Sequence, residues 1–145
     1  MRITRLAVGL LAMLAAFVMV TGSAHAAMPK PVEFVPADVS TMAWECASGN
    51  FCAWTGLDGK GSRCSWSDAD PDWLSGTVRC SWAGSQKVQS YLNNGTSSRF
   101  TGVEIYLNPN YVTKFHCVLQ GGQGWNVTEG GVFLRSHRWI SAPCF

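Results

Sequence analysis

The sequence predicts an all-β domain, either a sandwich or a barrel, and three features of the chain predict it. From residue 44 onward, no segment keeps the 3.6-residue period of an amphipathic helix. Turn-forming residues recur at intervals of roughly eight to twelve residues, which is typical of a β-sandwich or barrel. In residues 102–107, Val103, Ile105 and Leu107 share one face, as expected of a half-buried strand.

Six segments are predicted as strands because each carries a short run of β-branched or aromatic residues. Two glycine-rich or acidic stretches between them, 68–72 and 121–124, are predicted as loops. The predicted strands are 50–54, 62–67, 87–92, 102–107, 113–119 and 132–137.

The order of residues along the domain indicates a duplication of one four-strand unit. Each half has an aromatic strand, a folded hairpin, a cysteine-bearing strand and a serine-bearing strand. Four strands per half are the count of a Greek key, so the sequence predicts two Greek-key motifs. The marker residues are Trp54, Gly61, Cys64 and Ser90 in the first half, and Tyr106, Tyr111, Cys117 and Ser136 in the second.

The first 26 residues are predicted to be a secretory signal peptide. Arg2 and Arg5 form a basic start, and residues 6–20 are almost wholly apolar. Residues 24–26 are Ala-His-Ala, which is a small-x-small cleavage site. A retained anchor is the alternative, but this apolar run is shorter than the roughly 20 residues that a spanning helix needs. We therefore expect a secreted protein without a stable membrane anchor.

The mature chain is predicted to have an extended leader at 27–43 and one domain at 44–145. Without Arg2 and Arg5, it carries 9 basic and 9 acidic side chains and is formally neutral. Nucleic-acid binding requires a basic surface, so that partner class is excluded. Neutrality also disfavours a membrane-active toxin.

The six cysteines predict three disulfides, because an even number in an exported chain is typical of a stapled domain. Zinc is the alternative. It is disfavoured because the chain has no Cys-x-x-Cys pair and only two histidines outside the signal peptide.

The folded hairpins resemble the aromatic-x4-aromatic-x-Gly motif of βγ-crystallins. With the Cys-x5-Cys pair before the first hairpin and the signal peptide, residues 44–139 resemble secreted inhibitors of the streptomycete metalloproteinase-inhibitor type. The resemblance implies a disulfide-stapled βγ-crystallin-like sandwich, no enzymatic activity and an extracellular peptidase as partner. Trp54 with Gly61 and Tyr106 with Tyr111 fit the motif, whereas Gly59 and Thr113 depart from it.

In that family, a loop offers a Cys-Val peptide bond to a thermolysin-like zinc metallopeptidase, and Cys117–Val118 stands in that position. We therefore expect Cys117, Val118 and Leu119 to form an exposed, peptidase-contacting loop. Gly122 replaces the cysteine that closes the family's loop. The alternative is that Cys117 and Val118 are simply part of a strand.

The resemblance and the turn formers at 48–50 both favour a Cys46–Cys52 disulfide. Cys64–Cys80 and Cys117–Cys144 are proposed for the other four cysteines. We expect a monomer that needs no cofactor.

Catalysis is disfavoured by the placement of the candidate residues. Ser136-His137 and His116-Cys117 each put a nucleophile-type residue beside a base, but adjacent strand residues point to opposite faces. No catalytic residues are therefore predicted.

Two binding alternatives concern other residues. Asp68, Asp70 and Asp72 could attract calcium, but an acidic turn around a proline is the favoured interpretation, and no metal site is predicted. A carbohydrate-binding or cell-wall-binding module is the second functional hypothesis. It depends on tryptophans: Trp54 is assigned to the core, whereas Trp73, Trp82 and Trp125 remain candidates for a sugar platform.

Overall fold

The computed structural model describes residues 34–37 and 44–144. The predicted signal peptide, 1–26, and most of the predicted leader lie outside the described residues. Within the described ranges, no helix is both long and apolar enough to cross a membrane.

The predicted all-β fold is confirmed. The described residues form eight β-strands and three short 3₁₀ turns and contain no α-helix. The strands are β1 Phe34–Ala37, β2 Phe51–Trp54, β3 Arg63–Trp66, β4 Ser90–Asn93, β5 Gly102–Asn108, β6 Val112–Leu119, β7 Gly124–Val127 and β8 Ser136–Ile140.

The strands form two antiparallel sheets. The first sheet has the order β1-β7-β4-β2-β3, and the second has the order β6-β5-β8. β7, which comes from the second half of the chain, pairs with β4 from the first half. This pairing of β7 with β4 joins the two halves of the chain. The assignment of two Greek-key motifs stays a prediction.

Two strands were not predicted. β1 lies within the segment expected to be an extended leader, and it pairs with β7 along the edge of the first sheet. β7 begins at Gly124, the last residue of a predicted loop.

The last predicted strand, 132–137, is wrong in its limits, since β8 begins only at Ser136. Val132 forms a bridge to Val88 beside the first sheet, whereas Ser136 already pairs with Tyr106 in the second sheet. The apolar residues between them therefore belong to a crossover and not to one strand.

The main core between the sheets is rich in aromatic side chains. Phe51, Trp66, Trp73 and Tyr91 are among its buried members. A second, smaller cluster contains Trp44, Cys52, Trp54 and Leu92. Consecutive residues of β2 and β4 thus belong to different clusters. All four residues of β4 are buried, because both faces of this strand are covered.

Buried serines close both folded hairpins. In the first half, the Ser90 hydroxyl donates to the Gly56 carbonyl at 2.6 Å and accepts the Gly59 N–H at 3.0 Å. The hairpin turns back through Asp58, whose backbone has a φ of 56°. One hydroxyl thus satisfies a donor and an acceptor of the tight turn.

The second half repeats this arrangement. The Ser136 hydroxyl donates to the Asn108 carbonyl at 2.6 Å and accepts the Tyr111 N–H at 3.1 Å. Asn110, with a φ of 58°, takes the place of Asp58. The two halves therefore close their hairpins in the same way.

All six cysteines lie in the described part of the chain and are paired. The disulfides join Cys46 to Cys52, Cys64 to Cys80, and Cys117 to Cys144, which are the three pairs proposed above. The last of these ties β6 to the chain beyond β8.

Candidate functional site

The residues expected to form an exposed loop are the last three residues of β6. Cys117 lies opposite Glu104 of β5, and Val118 lies opposite Val103. The Val118 side chain is completely buried in the main core. The expectation that Val118 is exposed is therefore wrong, because pairing with β5 continues to the end of β6.

Leu119 is different from its neighbour, because 56% of its surface is exposed. It is the last residue of β6, and residues 120–123 connect it to β7; we call residues 119–123 the β6–β7 turn. Gly121 and Gly122 have φ values of 123° and 77°, which a side chain at Cβ would disfavour. The turn thus presents one large apolar side chain on a tightly folded backbone.

Hydrogen bonds to the connection between β4 and β5 hold the β6–β7 turn in place. The Gln120 N–H donates to the Thr101 carbonyl at 3.0 Å. The Gln120 side chain donates to the Ser97 carbonyl, also at 3.0 Å. The Cys117–Cys144 disulfide fixes the strand immediately before the turn.

Asn93, the last residue of β4, contacts both sides of the turn and is completely buried. Its side-chain Nδ2 donates to the Val118 carbonyl at 2.9 Å. Its main-chain carbonyl accepts the Gly122 N–H, also at 2.9 Å. Asn93 was not predicted from the sequence as a site residue, although a polar residue at the end of an apolar strand indicates a specific buried partner.

The four residues of the catalytic alternative have other partners. The Trp73 indole donates to Nδ1 of His137 at 2.8 Å, so the proton of this imidazole sits on Nε2 and is donated to the Asp68 carbonyl at 3.0 Å. Burial lowers the pKa of His137 to about 3. The neighbouring Ser136 hydroxyl is hydrogen-bonded to the Asn108 carbonyl and the Tyr111 N–H of its hairpin. This histidine is a neutral structural residue.

His116 occupies a second aromatic cluster. Its Nδ1 lies 2.7 Å from the Tyr91 hydroxyl, and its ring stacks on Phe34 of β1 at 4.5 Å. Burial lowers the pKa of His116 and raises the pKa of Tyr91. Because Cys117 is in a disulfide, neither sequence pair forms a nucleophile–base dyad.

Two carboxylates of the acidic turn at 68–72, those of Asp70 and Asp72, bind other groups of the protein. Oδ1 of Asp70 accepts the Asp72 N–H at 2.9 Å. Oδ1 of Asp72 lies 2.7 Å from the Arg135 guanidinium, and this hydrogen bond lowers the pKa of Asp72. Across the described ranges, no group of three or more His, Cys, Asp or Glu side chains is placed to hold a metal ion.

The tryptophans do not form an exposed platform. All seven lie in the described part of the chain; Trp125 and Trp139 are partly buried, and the other five are buried. Trp73 and Trp82, two of the candidates for sugar stacking, belong to the main core. The carbohydrate-binding hypothesis therefore lacks the exposed rings that it requires.

Comparison with known proteins relates the chain to a protein family. The family described as peptidase inhibitor family I36 matches residues 40–118, more than half of the chain. The match ends at Val118, immediately before the β6–β7 turn. No curated protein matches the chain.

Proposed function

The chain belongs to the peptidase inhibitor family I36, and we propose that its target is an extracellular zinc metallopeptidase of the thermolysin type. As a member of this family, the chain is a non-enzymatic protein whose partner is a peptidase. Three disulfides and the predicted signal peptide support an extracellular site of action. We expect it to act as a secreted monomer.

The exposed Leu119 on the β6–β7 turn is the observation that carries this proposal. The resemblance implies that the target peptidase accepts an apolar residue beside the bond offered to it. Val118 cannot supply that side chain, because it is packed in the core, whereas Leu119 is accessible. We therefore propose that the peptidase contact begins at Leu119.

The stiffness of the turn supports an inhibitory contact. A flexible segment loses conformational entropy when it binds, and a segment already held in its bound form avoids much of that cost. The hydrogen bonds of Gln120 and Gly122 provide such a constraint. The turn can thus bind tightly while resisting the rearrangement that hydrolysis requires.

The test is a stoichiometric titration of thermolysin with the wild-type chain and two aspartate variants. Leu119→Asp should raise the inhibition constant by roughly a hundredfold or more, because an apolar subsite would bury an unpaired carboxylate. Val112→Asp is the matched control: Val112 is also exposed, at 53%, but lies at the other end of β6. It should inhibit like the wild type.

Circular dichroism must show the same β-fold in all three proteins. Val118→Asp is unsuitable as a probe, because a carboxylate in the core would destabilise the fold itself. Equal inhibition by Leu119→Asp and the wild type would show that this turn is not the contact. Inhibition of a serine or cysteine peptidase, without inhibition of thermolysin-like enzymes, would contradict the proposed target class.

A further inference from the structure

We propose that Asn93 is the positioning residue of the β6–β7 turn and protects the Val118–Leu119 peptide bond from hydrolysis. The inference rests on the proposed function of this turn. It assigns to a buried amide the constraint that a second cysteine would supply in the loop that this chain resembles.

The geometry places Asn93 between the two sheets at the base of the turn. Its Nδ2 donates to the carbonyl of Val118, which belongs to the peptide bond joining Val118 to Leu119. Its main chain accepts the Gly122 N–H on the far side of the turn. Its Oδ1 accepts the Gly95 N–H at 2.9 Å, which fixes the orientation of the amide. Both sides of the turn are thus tied to one residue of the first sheet.

This arrangement opposes hydrolysis for a chemical reason. In hydrolysis, water adds to the Val118 carbonyl carbon, the C–N bond breaks, and a carboxyl group on Val118 and an amine on Leu119 are released. The carbonyl oxygen must turn towards an electrophile of the peptidase as negative charge develops on it. Here the oxygen is bonded to a buried amide, so the turn would have to lose that bond before the peptide could react.

Gly122 shows why a disulfide does not serve this purpose here. Its φ of 77° is unfavourable for cysteine, and Cys117 is already paired with Cys144. Instead, the Gly122 N–H is held by the Asn93 carbonyl at 2.9 Å. The constraint is therefore non-covalent and depends on β4.

The decisive variant is Asn93→Asp, which keeps the shape of the side chain and its acceptor for the Gly95 N–H. An ionised carboxylate cannot donate to the Val118 carbonyl. Asn94→Asp is the matched control, because Asn94 donates to the Cys46 carbonyl at 2.9 Å and not to the turn. Each variant is incubated with excess thermolysin, and the products are reduced and identified by mass.

We expect Asn93→Asp to be cleaved between Val118 and Leu119 about tenfold or more faster than the wild type, because a buried hydrogen bond is lost. The inhibition constant of the intact variant should change less than its cleavage rate. At lower pH, the protonated carboxyl can donate again, so resistance to cleavage should return only in this variant. A merely structural role would instead change the cleavage rate and the unfolding free energy in parallel.

Equal cleavage rates for Asn93→Asp and the wild type, or for Asn93→Asp and Asn94→Asp, would overturn the proposal. If Asn93→Asp does not fold, hydrogen exchange in the wild-type chain tests whether Asn93 constrains the turn. The Asn93 side-chain amide and the Gly122 N–H should exchange slowly, and exchange as fast as that of exposed amides would refute the constraint. This measurement needs no peptidase, so it separates the failure of this inference from the failure of the proposed function.

Discussion

Acid should destabilise this domain through His137. The imidazole is completely buried, and its centroid lies 4.9 Å from those of Phe51 and Trp66. Nδ1 accepts from the Trp73 indole, while Nε2 donates to the Asp68 carbonyl. A second proton would sit on Nδ1 and face the indole N–H, so protonation would replace a hydrogen bond by two opposed donors.

The sign and size of the effect follow from the pKa. Burial lowers the pKa of His137 to about 3 in the folded chain, from an ordinary value of 6.5. The unfolded chain therefore binds this proton at a higher pH than the folded chain does. The stability that His137 contributes is complete above pH 6.5 and is lost as the pH falls towards 3. At about 1.4 kcal/mol per pH unit, this loss is roughly 4–5 kcal/mol.

The assay is urea unfolding of the wild type and His137→Gln between pH 7 and pH 3.5. Glutamine can accept from the Trp73 indole and donate to the Asp68 carbonyl, but it does not titrate. Asp72 and Glu104, whose pKa values are lowered by hydrogen bonds from Arg135 and Tyr106, also lose stabilising charge in acid. They do so in both proteins, so the difference between the two pH profiles isolates His137.

The wild type should lose several kcal/mol more than the variant across this range. Equal losses in both proteins would refute the reasoning. So would an NMR titration in which the His137 ring of the folded chain takes up its proton near pH 6.5. If His137→Gln does not fold, the NMR titration of His137 in the wild type tests the prediction by itself.

Two further predictions concern the hairpins and the acidic turn. Ser90→Ala and Ser136→Ala should each lower the unfolding free energy by about 1–3 kcal/mol, because each leaves an N–H and a C=O of a partly buried tight turn without their shared partner. An unchanged denaturation midpoint would contradict this. The thermal midpoint should be the same in millimolar calcium and in chelator, because Asp70 and Asp72 are used within the protein. A rise of several degrees in calcium would show a native-state site.

The fold class could be predicted from the sequence because its signals are local. Turn glycines, short β-branched runs and the aromatic residues of each hairpin act on their immediate neighbours. Ser90 and Ser136 close their hairpins through hydrogen bonds that span 34 and 28 residues, and the sequence did not predict these bonds. The serine-bearing strands themselves were predicted because each half repeats the same order of marker residues. Such features repeat along the chain and are visible without tertiary information.

The candidate site was harder to predict because it depends on strand register. Val118 and Leu119 are both apolar, and the sequence does not say which one faces the core. A shift of one residue would exchange the two faces of a strand. Pairing of Val118 with Val103 buries Val118 and exposes Leu119. β8 was misplaced for a related reason, because the crossover between sheets leaves no periodic signal.

The long-range hydrogen bonds of Asn93 also have a consequence for function. Asn93 and Val118 are 25 residues apart and lie in different sheets, so their bond exists only while the sheets remain packed. A loop closed by its own disulfide would keep part of its constraint in an unfolded chain. The β6–β7 turn would not. Inhibition by this chain should therefore fall together with global stability, and the acid-labile core around His137 would set the lower pH limit at which the turn still resists cleavage.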